Sequence, residues 1–183
     1  MKTIKIIALL MIMFFLGSCK KDQNDVETPI PPNEQELITT VTLHFTEVGN
    51  TSNYFMASFK DVDGAGGNDA TIDTIKLDTN SSYNVSVELL DESTSSTKII
   101  TTEVKEEDAE HLFCYESSTT NINVTITDSD GTFPLGIDSD WETTDEVNST
   151  IKLTLKHQPD GVKDGTCSPG ETDVEVSFPL VIQ

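Results

Sequence analysis

The stretch YNVSVEL, residues 83–89, alternates apolar and polar side chains without a break. Successive side chains of a β-strand point to opposite faces of its sheet, so this alternation predicts a strand with one buried and one solvated face. The same period of two recurs in residues 41–45, 122–126, 151–155 and 174–182. Shorter apolar runs predict further strands at residues 54–60, 71–77, 98–104 and 111–116.

Turn-forming sequences separate these stretches: VDGAGGND, DTNSS, DESTSST, DSDG, HQPDG and KDGTCSPG. Glycine adopts positive φ without strain, and Asn or Asp side chains hydrogen-bond the local backbone, so these residues favour tight turns. A helical pattern is limited to residues 106–110, which are enough for a turn or two. The sequence therefore predicts an all-β fold, an antiparallel β-sandwich (immunoglobulin-like or jelly-roll-like) of about eight or nine short strands. We expect it to form a single domain over residues 37–183.

The first 19 residues have the layout of an export signal. Lys2 and Lys5 precede an apolar run at residues 6–16, and two small residues then lead to Cys19. This layout predicts a signal peptide over residues 1–18, because a membrane-spanning helix requires about 20 apolar residues.

The segment LGSC, residues 16–19, resembles the lipobox of bacterial lipoproteins. In those proteins the cysteine sulfur receives a diacylglycerol, and the signal peptide is cut directly before that cysteine. The resemblance implies that Cys19 is lipidated and that the lipid makes the membrane a partner. The alternative is an ordinary signal peptide that is cut elsewhere and leaves a free cysteine nearby. Residues 19–36, which are acidic and rich in proline, predict a flexible tether between the lipid and the folded domain.

The charge of the chain limits its partners. It contains 32 Asp and Glu residues against 11 lysines and no arginine, which gives a formal net charge of −21. Such a charge repels phosphate backbones, so nucleic-acid binding is excluded. Without arginine, the chain also lacks the side chain that best grips phosphate or carboxylate groups at two points. Cations, neutral sugars and basic partners remain open.

Two cysteines, Cys114 and Cys167, remain when Cys19 is set aside as the lipidated residue. Export would place them in an oxidising compartment, where a disulfide persists. In the chain-entropy model, a bridge that closes a loop of about 50 residues contributes roughly 4 kcal/mol to stability. The alternative is two free thiols, with Cys114 as a buried apolar residue.

The loop DVDGAGGND, residues 61–69, offers several oxygen ligands: Asp61, Asp63, Asn68 and Asp69. Calcium requires six to eight hard oxygen ligands in a loop that can fold around the ion, so calcium is the candidate cofactor here. The loop departs from the EF-hand pattern, because the position that requires glutamate is Ile72. The alternative is an ordinary turn that binds nothing.

Catalytic signatures are missing from the sequence: it has no G-x-S-x-G elbow, no P-loop and no H-E-x-x-H motif. We therefore expect no catalytic residues and no enzymatic activity. His44, His111 and His157 are dozens of residues apart and form no close pair of the kind found in zinc motifs. Each histidine is expected to be solvated or bonded locally.

Four stretches together resemble a group of small secreted lipoproteins of Bacteroidota: LITTVTLHF, FKDVDGAGG, EHLFCYE and KHQPDGVKDGTCSPGETDVEVSF. The resemblance spans residues 37–183. It implies a lipid-anchored, β-rich domain at the outer membrane, on its periplasmic or extracellular face. It also supports a bridge between Cys114 and Cys167, but it brings no catalytic residue or ligand.

Two functions follow from these features. The favoured one is a lipid-anchored envelope or cell-surface protein that acts as a non-enzymatic binding or structural module, with an envelope protein, an extracellular polysaccharide or cations as partners. The alternative is a polysaccharide-binding accessory protein or a glycan-active enzyme that uses loop carboxylates and Trp141. Aromatic residues on strands are core residues by default, so a sugar-stacking role for Trp141 competes with a packing role.

Overall fold

The computed structural model describes residues 36–64 and 66–183, and these residues contain eleven strands. In chain order they are β1 (Thr40–Glu47), β2 (Asn50–Lys60), β3 (Thr71–Ile72), β4 (Ile75–Leu77), β5 (Ser82–Asp91), β6 (Lys98–Ile99), β7 (His111–Ser117), β8 (Ile122–Ile126), β9 (Asp138–Thr143), β10 (Val147–His157) and β11 (Glu171–Ile182). The predicted signal peptide at residues 1–18, Cys19 and the tether up to residue 35 lie outside the described residues.

Among the described residues, helical structure occurs only in one short region between β6 and β7. The α-helix α1 (Ile100–Glu106) is followed by a single 3₁₀ turn at Asp108–Glu110. No helix in the described part of the chain is long and apolar enough to cross a membrane.

The strands form two sheets. The larger sheet has the order β3-β2-β1-β5-β9-β8, with β6 paired to the end of β5, and the smaller sheet has the order β4-β11-β10-β7. Neighbouring strands are antiparallel except for β4, which runs parallel to β11. The predicted all-β fold is confirmed, and the two packed sheets agree with a β-sandwich. The part of the chain that the structure describes contains eleven strands rather than the eight or nine predicted.

The core lies between the sheets and is built from the apolar half of each alternating strand. The larger sheet contributes residues from β1, β5 and β9, and the smaller sheet contributes residues from β10 and β11. Val85 and Val87 of the opening stretch are each 3% exposed, whereas Asn84 before them is exposed and Ser86 between them is half-buried. Each fully buried aliphatic or Phe side chain stabilises the fold by about 1.5–3 kcal/mol relative to an exposed one.

The strand predicted at residues 98–104 is wrong beyond its first two residues. Only Lys98 and Ile99 pair with β5, and the chain then turns into α1. Ile100 and Val104 lie four residues apart, so both project from the same side of a helix, and both are buried in the core. A short apolar run with this spacing fits either periodicity, and packing against β5 decides for the helix.

Two other strand assignments differ from the prediction. The run at residues 71–77 divides into β3 and β4, which belong to different sheets. The chain crosses between the sheets at Asp73, whose backbone N–H and carboxylate both bond the backbone of Ser58. Strand β9 was not predicted, because Ser139 and Thr143 occupy inward positions beside Trp141 and leave a weak apolar pattern.

Candidate functional site

The outer face of the larger sheet borders an open groove of about 780 Å³. Strands β1, β2, β5 and β9 supply one part of its lining, and Ile99 with residues of α1 supplies another. The strands contribute titratable and amide side chains to the groove: His44, Tyr54, Asn84, Glu88, Asp138 and Asp140. These residues are the polar half of the same alternation that builds the core.

Strand register places the groove side chains in rows. Thr46 pairs with Tyr54 on β2 and with Asn84 on β5. Asn84 in turn pairs with Asp140 on β9. Because paired residues present their side chains on the same face of a sheet, this row runs across four strands. A shift of the strand register by one residue would turn these side chains toward the core. Burial of the apolar side chains on the opposite face therefore determines which residues line the groove.

Hydrogen bonds hold the groove side chains in place. The Tyr54 hydroxyl lies 2.6 Å from His44 Nδ1, and His44 Nε2 lies 3.5 Å from a carboxylate oxygen of Glu88. The Asn84 amide nitrogen donates to Asp140 Oδ1 over 2.7 Å. A carboxylate has about four lone-pair sites and an amide both donates and accepts, so these groups retain capacity for a ligand. Tyr54 is 53% exposed and adds an aromatic surface.

The helix α1 is fixed against the sheet and borders the groove. Thr101 Oγ1 accepts a hydrogen bond from the backbone N–H of Leu89 over 2.7 Å. Ile100 and Val104 anchor the opposite side of the helix in the core. Thr102 and Lys105 are left on the exposed side, where they line the groove. Both sides of the groove are therefore supported by buried contacts.

A second cluster of titratable side chains surrounds the start of β7. His111 is the first residue of that strand, Asp173 lies in β11, and Glu36 precedes β1. His111 Nε2 lies 3.7 Å from Asp173 Oδ2 and 3.8 Å from Glu36 Oε2. The three side chains are 0%, 1% and 10% exposed, respectively.

A β-bulge brings Asp173 into this cluster. Strand β10 pairs Leu155 with Val174 and Lys156 with Thr172, so Asp173 is the extra residue of β11. A bulge leaves one residue without a partner and changes the direction of its side chain. Strand β10 also pairs with β7, where His157 lies opposite His111. Pairing through β10 thus joins two residues that are distant in sequence.

Burial shifts the ionisation of this cluster. Together with the neighbouring carboxylates of Asp173 and Glu107, it raises the pKa of Glu36 to about 7. Burial also raises the pKa of Asp173 to about 6. Burial lowers the pKa of His111, which favours the neutral ring. The backbone carbonyl of Glu107, 3.1 Å from His111 Nδ1, fixes the orientation of that ring.

Neither carboxylate of this cluster was among the predicted site residues. Glu36 was assigned to the end of the tether, yet its side chain packs against His111. Asp173 directly precedes the predicted alternating stretch at residues 174–182, and nothing in the sequence marks a bulge there. His111 is bonded locally, as expected, but it is also fully buried and stacks on His157 with ring centroids 5.0 Å apart. Sequence spacing carries no signal for this convergence, since strand pairing creates it.

The described residues of the predicted calcium loop are mostly exposed, and none of them belongs to this cluster. Asp63 accepts hydrogen bonds from Asn68 through the backbone N–H at 3.0 Å and the side-chain amide at 2.6 Å. These bonds hold the pKa of Asp63 below its usual range. Asp61 accepts a bond from the backbone N–H of Gly64. The loop thus uses several of its oxygens to close its own turns, and Asp69 is exposed.

Trp141 is not on the surface. It is 0% exposed, and its ring packs edge-to-face on Phe45 and Tyr115 at centroid distances of 5.3 and 5.9 Å. Its indole N–H donates to Ser139 Oγ inside the core. The sugar-stacking role considered for Trp141 is therefore wrong, and Tyr54 is the aromatic residue that lines the groove.

Cys114 and Cys167 form a disulfide with their Cα atoms 6.1 Å apart. Cys114 belongs to β7, and Cys167 lies in the loop between β10 and β11. The free-thiol alternative is thus not the state seen in the structure. Comparison of the chain with protein-family models, curated proteins and solved structures finds no match.

Proposed function

We propose that the protein is a lipid-anchored, non-enzymatic binding module of the bacterial envelope and that its groove binds a neutral glycan. The observation that carries this proposal is the exposed Tyr54 ring beside bonded imidazole, amide and carboxylate groups. A sugar presents an apolar C–H face, which suits an aromatic surface, and hydroxyls, which suit planar acceptors and donors. The groove combines both kinds of group.

Charge supports a neutral ligand over an acidic one. Glu88, Asp138 and Asp140 contribute three carboxylates to the lining, against the ammonium group of Lys105. The chain as a whole carries a formal charge of −21. A phosphate or an acidic polysaccharide would be repelled by this field, whereas a neutral glycan would not.

Export to the envelope is supported by two independent features. The segment LGSC follows an apolar run at the start of the chain and resembles a lipobox. The bridge between Cys114 and Cys167 is typical of proteins that fold in an oxidising compartment. A lipid on Cys19 would hold the domain at the outer membrane, with an envelope protein as the other class of partner.

Calcium stays a prediction for the loop at residues 61–69. An ion there would compete with the hydrogen bonds that Asp61 and Asp63 already accept. The glycan proposal does not depend on this ion.

Binding of neutral oligosaccharides to the purified chain tests the proposal, first on a glycan array and then by calorimetry. Tyr54→Ala should weaken binding at least tenfold, because it removes the exposed ring. Met56→Ala is the matched control: Met56 lies two residues further along β2, is 55% exposed, and is not part of the groove lining. Tyr54→Phe should retain most of the affinity, since it loses only the hydroxyl bonded to His44.

Three results would contradict the proposal. One is equal weakening by Tyr54→Ala and Met56→Ala, which would place any binding outside the groove. Another is the appearance of shorter products when a bound glycan is incubated with the protein, which would make the protein an enzyme. An array without any bound glycan would also reject the glycan and leave an envelope protein as the partner to test.

A further inference from the structure

The cluster around His111 presents only acceptors at its centre. His111 Nδ1 lies 3.1 Å from the carbonyl oxygen of Glu107, and a carbonyl can only accept, so this nitrogen carries the proton. In the neutral ring, Nε2 therefore holds a lone pair. That lone pair lies 3.7 and 3.8 Å from oxygens of Asp173 and Glu36. Three electron-rich atoms thus face one another without a shared hydrogen bond.

The surrounding residues compensate this arrangement only in part: the charge of His157 lowers the pKa of Glu36 and of Asp173, and that of Lys156 lowers the pKa of Asp173. Both carboxylate oxygens of Asp173 and the Nε2 atom of His111 are buried and have no hydrogen-bond partner within residues 36–64 and 66–183. Oε2 of Glu107 is likewise buried and has no hydrogen-bond partner among the described residues. Lys163 places its ammonium on Asp130 and on the carbonyl of Asp108 instead. Buried carboxylate oxygens without a hydrogen-bond donor are costly, so the cluster is suited to a cation.

We propose that Glu36, His111 and Asp173 bind a divalent transition-metal ion, with zinc as the probe. The candidate ligand atoms all lie within 4.8 Å of one another. Two ligands at about 2.1 Å in a tetrahedral zinc site are about 3.4 Å apart, so the distances of 3.7 and 3.8 Å need only small shifts. An imidazole with two carboxylates favours zinc or a similar ion over calcium or magnesium, which prefer oxygen ligands alone.

The support around the site resembles what metal-bound histidines require. A ligating histidine usually donates its other ring N–H to a carbonyl or carboxylate, and the Glu107 carbonyl occupies that position for His111. His157 stacks on the His111 ring at an interplanar angle of 19° and restricts its rotation. The β-bulge at Asp173 aims a carboxylate inward from a strand that otherwise alternates.

The expected role of the ion is structural. Glu36 lies at the entry to β1, His111 begins β7, and Asp173 lies in β11. An ion held by all three would tie the entry of the domain to two strands of the smaller sheet. Such a tie would act independently of the groove, which lies on the outer face of the larger sheet.

Zinc calorimetry on the full chain, purified and stripped of metal with a chelator, tests this inference. We expect one zinc ion per chain and a rise in the midpoint of thermal unfolding on binding. Glu36→Gln and Asp173→Asn should each weaken binding at least tenfold, and Glu36→Gln keeps its shape and precedes the first strand, so folding is not at risk. Cobalt in place of zinc should give visible absorption bands that both variants lose.

The matched control is His44→Gln. His44 forms a similar histidine–carboxylate contact with Glu88 at 3.5 Å, but on the exposed face of the larger sheet. This variant should bind zinc like the unmodified chain. The inference fails if the folded chain binds no zinc at a 100-fold excess of zinc over protein. In that case the cluster binds protons but no metal ion. It also fails if His44→Gln abolishes binding while Glu36→Gln does not.

Discussion

Individual buried polar side chains connect loops that the strands leave apart. Lys163 is 5% exposed, and its ammonium donates to Asp130 Oδ2 over 2.8 Å and to the Asp108 carbonyl over 2.7 Å. Lysine is rarely buried without a charged partner, so the ion pair with Asp130 explains why Lys163 can be buried. It links the loop that carries Cys167 to the segment before β9 and to the 3₁₀ turn before β7.

Asp130→Asn should lower the free energy of unfolding by about 2 kcal/mol at pH 7. Removing one partner of a buried pair costs on the order of 3–5 kcal/mol, and asparagine retains one acceptor oxygen here. The bond from Lys163, with backbone bonds such as that from Phe133, lowers the pKa of Asp130 to about 2. A depressed carboxyl pKa stabilises the fold above the unfolded value and loses this contribution as the pH falls through the folded value.

Urea denaturation at pH 7 and near pH 2 measures this difference. The unmodified chain and Asp130→Asn should differ at pH 7 and converge as the pH approaches 2. The control is the double variant Asp130→Asn/Lys163→Met, which removes the unpaired ammonium and should recover part of the loss. If the difference in the free energy of unfolding between the two proteins stays constant over this pH range, the ion pair makes no ionic contribution to stability.

The junction of β6 and α1 places two isoleucines in opposite environments. Ile99 is 55% exposed and lines the groove, whereas Ile100 is 1% exposed and packs in the core. The two residues have the same side chain and adjacent positions. They therefore form a matched pair for measuring what the helix contributes.

Ile100→Ala should destabilise the protein by about 2–5 kcal/mol, because it removes buried methylene groups and leaves a cavity beneath α1. Ile99→Ala should change stability by less than about 0.5 kcal/mol, as surface substitutions usually do. Thermal and urea unfolding of the two variants provide the comparison. Equal losses of stability in the two variants would show that Ile100 does not anchor α1 in the core. A larger loss for Ile99→Ala would show that Ile99, not Ile100, is the buried residue.

Strands with a strict period of two could be predicted from the sequence because each needs one apolar face. Residues 83–89 are the clearest case, and β5 contains all of them. The helix α1 could not be predicted, because the spacing of Ile100 and Val104 also fits a strand. Only packing against β5 favours the helix. The bulge at Asp173 was also beyond prediction, because the extra residue is defined by the partner strand.

The same limit applies more strongly to sites that span the molecule. The polar row of the groove follows from alternation once the register is known, but the register joins Tyr54 to Asp140 through two intermediate strands. Glu36 and Asp173 come from opposite ends of the domain. Only the order of strands in both sheets brings such residues together, and periodicity within one strand contains no record of that order.

The bridge between Cys114 and Cys167 is the covalent link across the smaller sheet. Cys114 lies in β7, the strand at one end of that sheet, and Cys167 lies 53 residues further along the chain. The loop around Cys167 is also held by Gln158, whose amide donates to the carbonyls of Thr166 and Pro169. Loss of the bridge should therefore act mainly on the unfolded chain, while the hydrogen bonds keep the loop in place.

Replacing both cysteines by alanine should lower the free energy of unfolding by about 4 kcal/mol, the chain-entropy value for a closed loop of this length. Urea unfolding of the oxidised chain, the dithiothreitol-reduced chain and the double variant measures the loss. Reduction should lower the midpoint of the unmodified chain and leave the double variant unchanged, which controls for other effects of the reductant. If reduction leaves the midpoint of the unmodified chain in place, the bridge does not stabilise the domain, and noncovalent packing of β7 against β10 is sufficient to hold the edge of the sheet.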